Sequence, residues 1–413
     1  MWELIRVNKR NSLLLLATMG SCLVVLGVFI GMAIGGPDGW TIGLIAACAV
    51  WVVLTLISFS AGDSILLSAS NARRVTHDVH PRLFNVVEEM SIASGLPMPK
   101  VYIINDPAPN AFATGRKPES ASIAVTAGLL GKLNRDELQG VVAHEMSHIL
   151  HRDILFVTLA GVMLGSVALL SQVFLRSFYY SSLGGSRRRY SSGGKGAGGG
   201  AALFILIAVL AAILAPIMTQ LLYFALSRRR EYLADAGAAR LTRYPEGLAS
   251  ALEKIAGDGS PQLISANQVT APMFIVNPFK KKGQLKLSDL TSTHPPISER
   301  IRILRNMSHG ASLKDYSEAF VGVTKGKTVV PATALTKEDL ALRNASAEAK
   351  SERLENQMRQ VGDIMRKVNG FVFLSCVCGL KLKIPPNYTS ETVKCPRCKR
   401  VHNIQREKRA AVK

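Results

Sequence analysis

Residues 134–153 read NRDELQGVVAHEMSHILHRD, and the fold and chemistry of the chain turn on this stretch. Asn134 with Glu137 three residues on forms a capping box, so a helix opens here. On that helix His144 and His148 lie four residues apart and share one face. Two imidazoles so placed bind one Zn²⁺, and Glu145 beside the first reaches a water at the metal. The opposite face carries Leu138, Val141, Val142 and Ile149, as a helix built into a core requires. Alone, the pentapeptide is moderately specific, and its competing reading is a polar helix with two incidental histidines. Hydrolytic zinc takes three protein ligands, so a third must come from elsewhere in the chain.

Upstream of this helix the pattern is soluble α/β. Pro81 to Ser94 repeats apolar residues at helical spacing, with Leu83, Val86, Val87 and Met90 on one face. KVYIIN reads as a strand, DPAPN as turn chemistry, and NAFATG and ASIAVT as two further short strands. A small sheet is thus expected just before the helix that carries the histidines.

Farther out, composition dictates a membrane. Nearly half of the 413 residues are hydrophobic, yet the net charge is +21, so apolar and basic residues must be segregated. Four apolar runs, Ser12 to Gly36, Trp40 to Ser60, Ile154 to Leu175 and Ala201 to Leu226, each hold about 20 residues or more, enough to cross a bilayer. A cleaved signal peptide is disfavoured, because the first run exceeds the usual apolar core of one and a second follows after the turn GGPDG. Arg6, Lys9 and Arg10 precede the first run, Arg73 and Arg74 follow the second, and Arg228 to Arg230 follow the fourth. This bias puts the N-terminus and the soluble segments on the cytoplasmic side. The Gly/Ser-rich loop FLRSFYYSSLGGSRRRYSSGGKGAGGG is also basic and runs against the rule, so either it is translocated despite its charge or runs three and four do not fully span.

The third ligand is sought after the fourth run, in REYLAD, where Glu231 and Asp235 share a helical face. If runs three and four form a hairpin, their cytoplasmic ends meet and Glu231 can join His144 and His148. Asp235 is then placed to orient an imidazole. Taken by itself, the pair also reads as solvated carboxylates balanced by Arg228 to Arg230.

NDPAPNAFATG, HEMSHILHRD, SRRREYLADAGAARLT and THPPISERI, in that order between apolar runs, resemble the HtpX-type membrane zinc metalloproteases, whose wider family includes the prenyl-protein endoproteases. The resemblance covers roughly residues 1 to 305. It implies His144, His148 and Glu231 as zinc ligands, Glu145 as general base, and Asp235 as support of the ligands. It further implies that Asn110, with Ala111 and Phe112, presents an edge strand to the substrate backbone. His294 would stabilise the oxyanion, and Arg300 would make a structural pairing beside the ligands; without the resemblance, His294 reads as an ordinary loop histidine. The implied chemistry is metal-assisted hydrolysis of peptide bonds, with misfolded or membrane proteins as substrates, at the cytoplasmic face of a bacterial inner membrane, in quality control and stress response.

Cysteine usage separates a further unit. Cys22 and Cys48 lie inside apolar runs and read as small buried hydrophobes. Cys376 and Cys378 form a CxC pair, and Cys395 and Cys398 a CxxC pair. Four thiolates in two close pairs satisfy a closed tetrahedral Zn²⁺ and suit a zinc ribbon, against the alternative of a redox-active dithiol. Its basic residues, Lys381, Lys383, Lys394, Arg397, Lys399 and Arg400, suit nucleic acid, anionic lipid or an acidic partner.

The expected class is α+β: a multi-pass helical membrane protein with a mainly helical, zincin-like catalytic domain, a small sheet and a C-terminal ribbon. Its expected units are a two-helix anchor (1–71), the first part of the catalytic domain (72–153), a membrane hairpin with the Gly/Ser loop (154–226), the second part (227–306), a charged linker or helix (307–368) and the ribbon (369–406). Expected cofactors are one catalytic and one structural Zn²⁺; expected partners are protein substrates and the bilayer. The competing readings are a membrane-anchored binding module with an inert histidine site and a membrane chaperone or scaffold.

Overall fold

The computed structural model describes residues 2–156 except 36, 228–258, 274–275, 295–330 except 327, 335, 340–346 and 362–404, with scattered positions between 158 and 217. Two long helices come first, α1 (Trp2–Gly35) and α2 (Trp40–Ala69), joined by a short 3-10 turn at Pro37–Gly39. Within them Ile5–Met32 and Trp40–Ala69 are long and apolar enough to cross a membrane. Leu13, Leu14, Val25, Ile42, Ile45 and Leu56 are exposed on them, an arrangement that favours lipid over water. Gly27 and Gly43 meet where the helices cross, and a Cβ on Gly43 would overlap the Gly27 carbonyl. Small residues at the crossing let the two backbones approach closely. The third and fourth apolar runs, and the basic loop between them, lie largely outside the described residues.

After α2 the chain passes through Ser70 and Asn71 into β1 (Ala72–Arg74), the first strand of a four-stranded sheet. Helix α3 (Pro81–Ser94), β2 (Lys100–Ile104), β3 (Ala111–Thr114) and β4 (Ser122–Thr126) follow. The sheet order is β1-β2-β4-β3. β2 and β4 run parallel, with Lys100 opposite Ser122, while β1 and β3 pair antiparallel at the two edges. A short α4 (Ala127–Lys132) leads into α5 (Arg135–Leu150), which is capped by the reciprocal Asn134 and Glu137 hydrogen bonds.

The core lies between the sheet and these helices. Leu83, Val86, Val87 and Met90 of α3 are buried there, as are Leu138, Val141, Val142 and Ile149 of α5. Residues 228–242 form α6, and α7 spans Pro245–Gly257. Gly140 of α5 lies against the backbone of Leu248 in α7, closely enough that a Cβ would meet Leu248 N at 2.6 Å. α8 (Ile297–Arg305) completes this layer.

The region expected as a charged linker or helix (307–368) contributes to the core. Within it α9 (Leu313–Thr324) opens on a Ser312/Asp315 capping box and buries Tyr316, Ala319 and Phe320. Arg343 bonds Asp136 Oδ1 (3.0 Å) and Gln139 Oε1 (2.6 Å), strapping this segment over the start of α5. Residues 362–368 form α10, whose Ile364 and Val368 join the main core. Arg73 of β1 donates to the Val368 carbonyl at 2.8 Å. Two small hairpins follow, β5 (Val372–Ser375) with β6 (Lys381–Ile384) and β7 (Thr392–Lys394) with β8 (Val401–Asn403). Their core is a handful of residues, chiefly Leu374, Leu382, Ile384 and Ile404 around Cys376 and Cys395. The described structure is thus mostly helical with small sheets and two candidate membrane helices.

Candidate metal centre

Helical spacing on α5 brings the two imidazoles together: Nε2 of His144 lies 3.3 Å from Nε2 of His148. Glu231 of α6 faces both. Its Oε2 is 3.6 Å from His144 Nε2, and its Oε1 is 3.6 Å from His148 Nε2. One ligand atom from each residue falls within 4.8 Å of the others. A tetrahedral Zn²⁺ with bonds of about 2.0–2.1 Å sets its nitrogen ligands about 3.3 Å apart, so the cluster has the size and donor set of a His₂Glu site.

The surroundings favour a cation. Asp235, one turn beyond Glu231, puts Oδ1 3.0 Å from His144 Nδ1. Arg300, fully buried on α8, clamps Asp235 from Nε (2.8 Å) and Nη2 (2.7 Å). Its Nη1 lies 3.3 Å from Glu231 Oε2 and also donates to the Ile275 carbonyl. Glu145, Glu231 and Asp235 are all buried in this cluster, Arg300 pairs with the last two only, and a dication would offset the remaining negative charge. Burial opposes charge on His144, yet Asp235 and Glu231 outweigh it and lift its pKa to about 9. Burial also pushes Asp235 up, but Arg300 and His144 prevail and hold its carboxyl below the usual carboxylate range. Glu145 differs: burial pushes its carboxyl up and wins over the opposing pull of His144 and His148.

Residues 78–308, more than half of the chain, match Peptidase family M48. The chain is similar to a protease HtpX homolog of Dictyoglomus turgidum, at 47% identity over 274 residues, 66% of this chain and 85% of the relative. A protease HtpX homolog of Dictyoglomus thermophilum is 43% identical over 314 residues, 76% of this chain and 97% of the relative. Another, of Listeria monocytogenes, is 42% identical over 309 residues, 74% and 100% of the two chains. The crystal structure of S. mikatae Ste24p is a distant likeness, with a TM-score of 0.39 and 19% identity over 74% of this chain and 67% of that one. The chain belongs to peptidase family M48.

In this M48 metallopeptidase, β3 lies at the edge of the sheet and against α5, and the Ala113 backbone helps draw the Glu145 carboxyl down against the effect of its burial. Asn110, Ala111 and Phe112, expected to present this edge strand to a substrate backbone, make contacts of their own. Asn110 turns its Oδ1 back to accept from Ala111 N (3.1 Å), and Phe112 packs edge-on against Phe274, with ring centroids 5.2 Å apart. Part of the backbone edge is taken too: besides the Ala111 N–H bonded to Asn110, Ala111 O accepts from Ile275 N at 3.0 Å. His294 lies outside the described residues; Pro295, next to it, is buried at the approach to α8.

Sequence reasoning missed Asp153. Its Oδ2 sits 3.3 Å from His148 Nδ1, so each of the two paired imidazoles is backed by its own aspartate. The residue stands in the same HEMSHILHRD stretch, but beyond the end of α5, after a turn at Arg152 with φ of 60°, where helical periodicity no longer points to it.

The four C-terminal cysteines also converge. Cys376 Sγ is 3.3 Å from Cys398 Sγ, Cys378 Sγ is 3.6 Å from Cys395 Sγ, and one ligand atom from each fits within 4.8 Å. All four are free thiols. A tetrahedral Zn²⁺ with bonds of about 2.3 Å spaces its sulfurs about 3.8 Å apart, close to what the hairpins provide.

Proposed function

We propose that this membrane protease is a zinc endopeptidase that uses His144, His148 and Glu231 as ligands and Glu145 as general base, cutting misfolded or membrane proteins at the cytoplasmic face of a bacterial inner membrane. The carrying observation is the convergence of two imidazoles on α5 and one carboxylate on α6, about eighty residues apart in sequence, at ligand spacing. Zn²⁺ bound there would supply Lewis acidity toward the scissile carbonyl and toward water.

The chain's own residues do the rest. Glu145 takes the proton of the attacking water and passes it to the leaving amine, a task suited to a carboxyl that burial has pushed up. Asp235, clamped by Arg300, holds the His144 ring by its Nδ1 so that Nε2 keeps its lone pair toward the ligand cluster. The β3 edge offers backbone groups to an extended peptide. His294 is assigned to the oxyanion. Apolar runs three and four form the hairpin that returns α6 to α5, giving a four-span, multi-pass chain with its N-terminus and catalytic units in the cytoplasm, in the service of protein quality control.

The four thiols hold a second, structural Zn²⁺ in a ribbon. The spacing of Cys376, Cys378, Cys395 and Cys398 supports this reading, as does the small core around them, since a unit of this size gains much of its stability from a closed metal site.

The test is cleavage of casein or a misfolded membrane protein by the full chain in detergent, with and without added zinc, alongside Glu145→Gln. Zinc-dependent cleavage that vanishes in the variant, with two zinc ions retained per chain, is the expected result. Cleavage that survives in Glu145→Gln would overturn the role given to that residue.

A further inference from the structure

The first membrane helix reaches the metal centre. Asn8 of α1 is buried at 3% exposure despite lying near the start of an apolar helix. Burying a primary amide costs a few kcal/mol unless its hydrogen bonds are met. Both N–H groups are met here. Nδ2 donates to the His151 carbonyl at 3.0 Å and, through a very short contact, to Asp153 Oδ1. Both neighbours are acceptors, so the nitrogen rather than the oxygen of the amide must face them. The other carboxylate oxygen of Asp153 is the one 3.3 Å from His148 Nδ1. Asp153 is fully buried, and Arg230, next in sequence to Glu231, brings Nε within 4.0 Å of Asp153 Oδ1 while stacking over Phe156.

An imidazole with one nitrogen on a metal donates its other N–H to an acceptor that fixes tautomer and ring orientation. For His148 that acceptor is Asp153, and Asn8 fixes which way the Asp153 carboxylate points. We propose that Asn8 and Asp153 are positioning residues of the metal centre, with Asn8 acting through Asp153 on His148, so that the first membrane helix forms part of the support of a zinc ligand. The proposal rests on the reading of His144, His148 and Glu231 as the zinc site. The bland alternative is that Asn8 merely ties off the carbonyl of His151 after the end of α5.

The experiment is zinc titration of the full-length protein in detergent against a chromogenic chelator, with the four-thiol site as internal reference. His148→Ala should remove one of two zinc ions from the chain; if zinc content is unchanged, the zinc-site reading fails and this inference fails with it. Given that loss, Asp153→Ala should weaken the histidine site by about 10- to 100-fold, and Asn8→Ala by about tenfold. The double variant should bind as Asp153→Ala does, within about twofold, because the two residues act in series. Unchanged affinity in Asn8→Ala, or losses that multiply in the double variant, would overturn the proposal. Hydrogen exchange of the metal-free proteins separates positioning from misfolding. Protection of α3 and α7 like that of the wild type supports the proposal, and a matching loss there assigns Asn8 a purely structural role and overturns it.

Discussion

The two clusters of candidate ligands sit in opposite surroundings. His144, His148 and Glu231 are carried by helices whose other faces belong to the main core, and their rings and carboxylate are held by buried aspartates and an arginine. The four thiols sit in the turns of two small hairpins, Cys376 and Cys378 between β5 and β6 and Cys395 and Cys398 between β7 and β8, around a few apolar side chains, with Cys398 exposed. On the proposed reading the fold makes the first cluster, whereas a metal at the second would help make its fold. The first must keep a face open to water and substrate, and the second gains by being closed.

This contrast can be broken at its extremes. The largest effect should come from Glu145→Gln, which removes a proton acceptor without removing a ligand: cleavage should fall by about 10²- to 10⁴-fold while zinc analysis finds both ions in place. Stripping the metals with a chelator should next separate the regions. Closed structural sites contribute on the order of 10 kcal/mol to folding, so amides of β5 to β8 should lose hydrogen-exchange protection while those of α3 and α5 keep theirs; equal loss in both would erase the distinction. Arg300→Leu should cost about 3–5 kcal/mol, because it leaves Asp235 buried beside Glu231 without its guanidinium. Chemical denaturation of the core reads that loss, and zinc held by the thiols should not change.

The smallest effect concerns acid. His80 caps α3, accepting from Leu83 N through Nδ1 at 3.1 Å, and burial, with help from Arg82, pushes its pKa from 6.5 down to about 4. The unfolded chain takes up this proton at about 6.5 and the folded one refuses it until about 4. The contribution is therefore complete above the first value and drains away as pH falls toward the second. His80→Asn keeps a good cap without a titrating group, so the melting temperature of the core between pH 7 and pH 5 should fall less steeply in the variant than in the wild type.

How much of this was legible in the sequence follows from how local each signal is. The α5 cap, the pairing of His144 with His148 and the apolar face of α3 rest on spacings of three and four residues, and the structure has them all. The strands around NAFATG and ASIAVT were readable from β-branched content and turn residues, including which segment carries Ala111. Glu231 carries no such local signal and was reached through an assumed hairpin of the third and fourth apolar runs and through the family resemblance. Asn8 with Asp153 was not reachable, because a contact across 145 positions leaves no periodicity in either segment. Helix α9 was obscured for another reason: its buried Tyr316, Ala319 and Phe320 are spaced for one helical face, but the neighbouring Lys314, Asp315 and Glu318 give the stretch a polar composition. Likewise, nothing in PMFIVN announces that Ile275 will occupy part of the β3 edge.

Only Ser70 and Asn71 separate the last residue of α2 from the first strand. Three peptide steps span at most about 11 Å, so the sheet has almost no leash. With α2 seated in a bilayer, as its length and apolar surface allow, the sheet and the α5 helix packed on it would be tethered close to that membrane face.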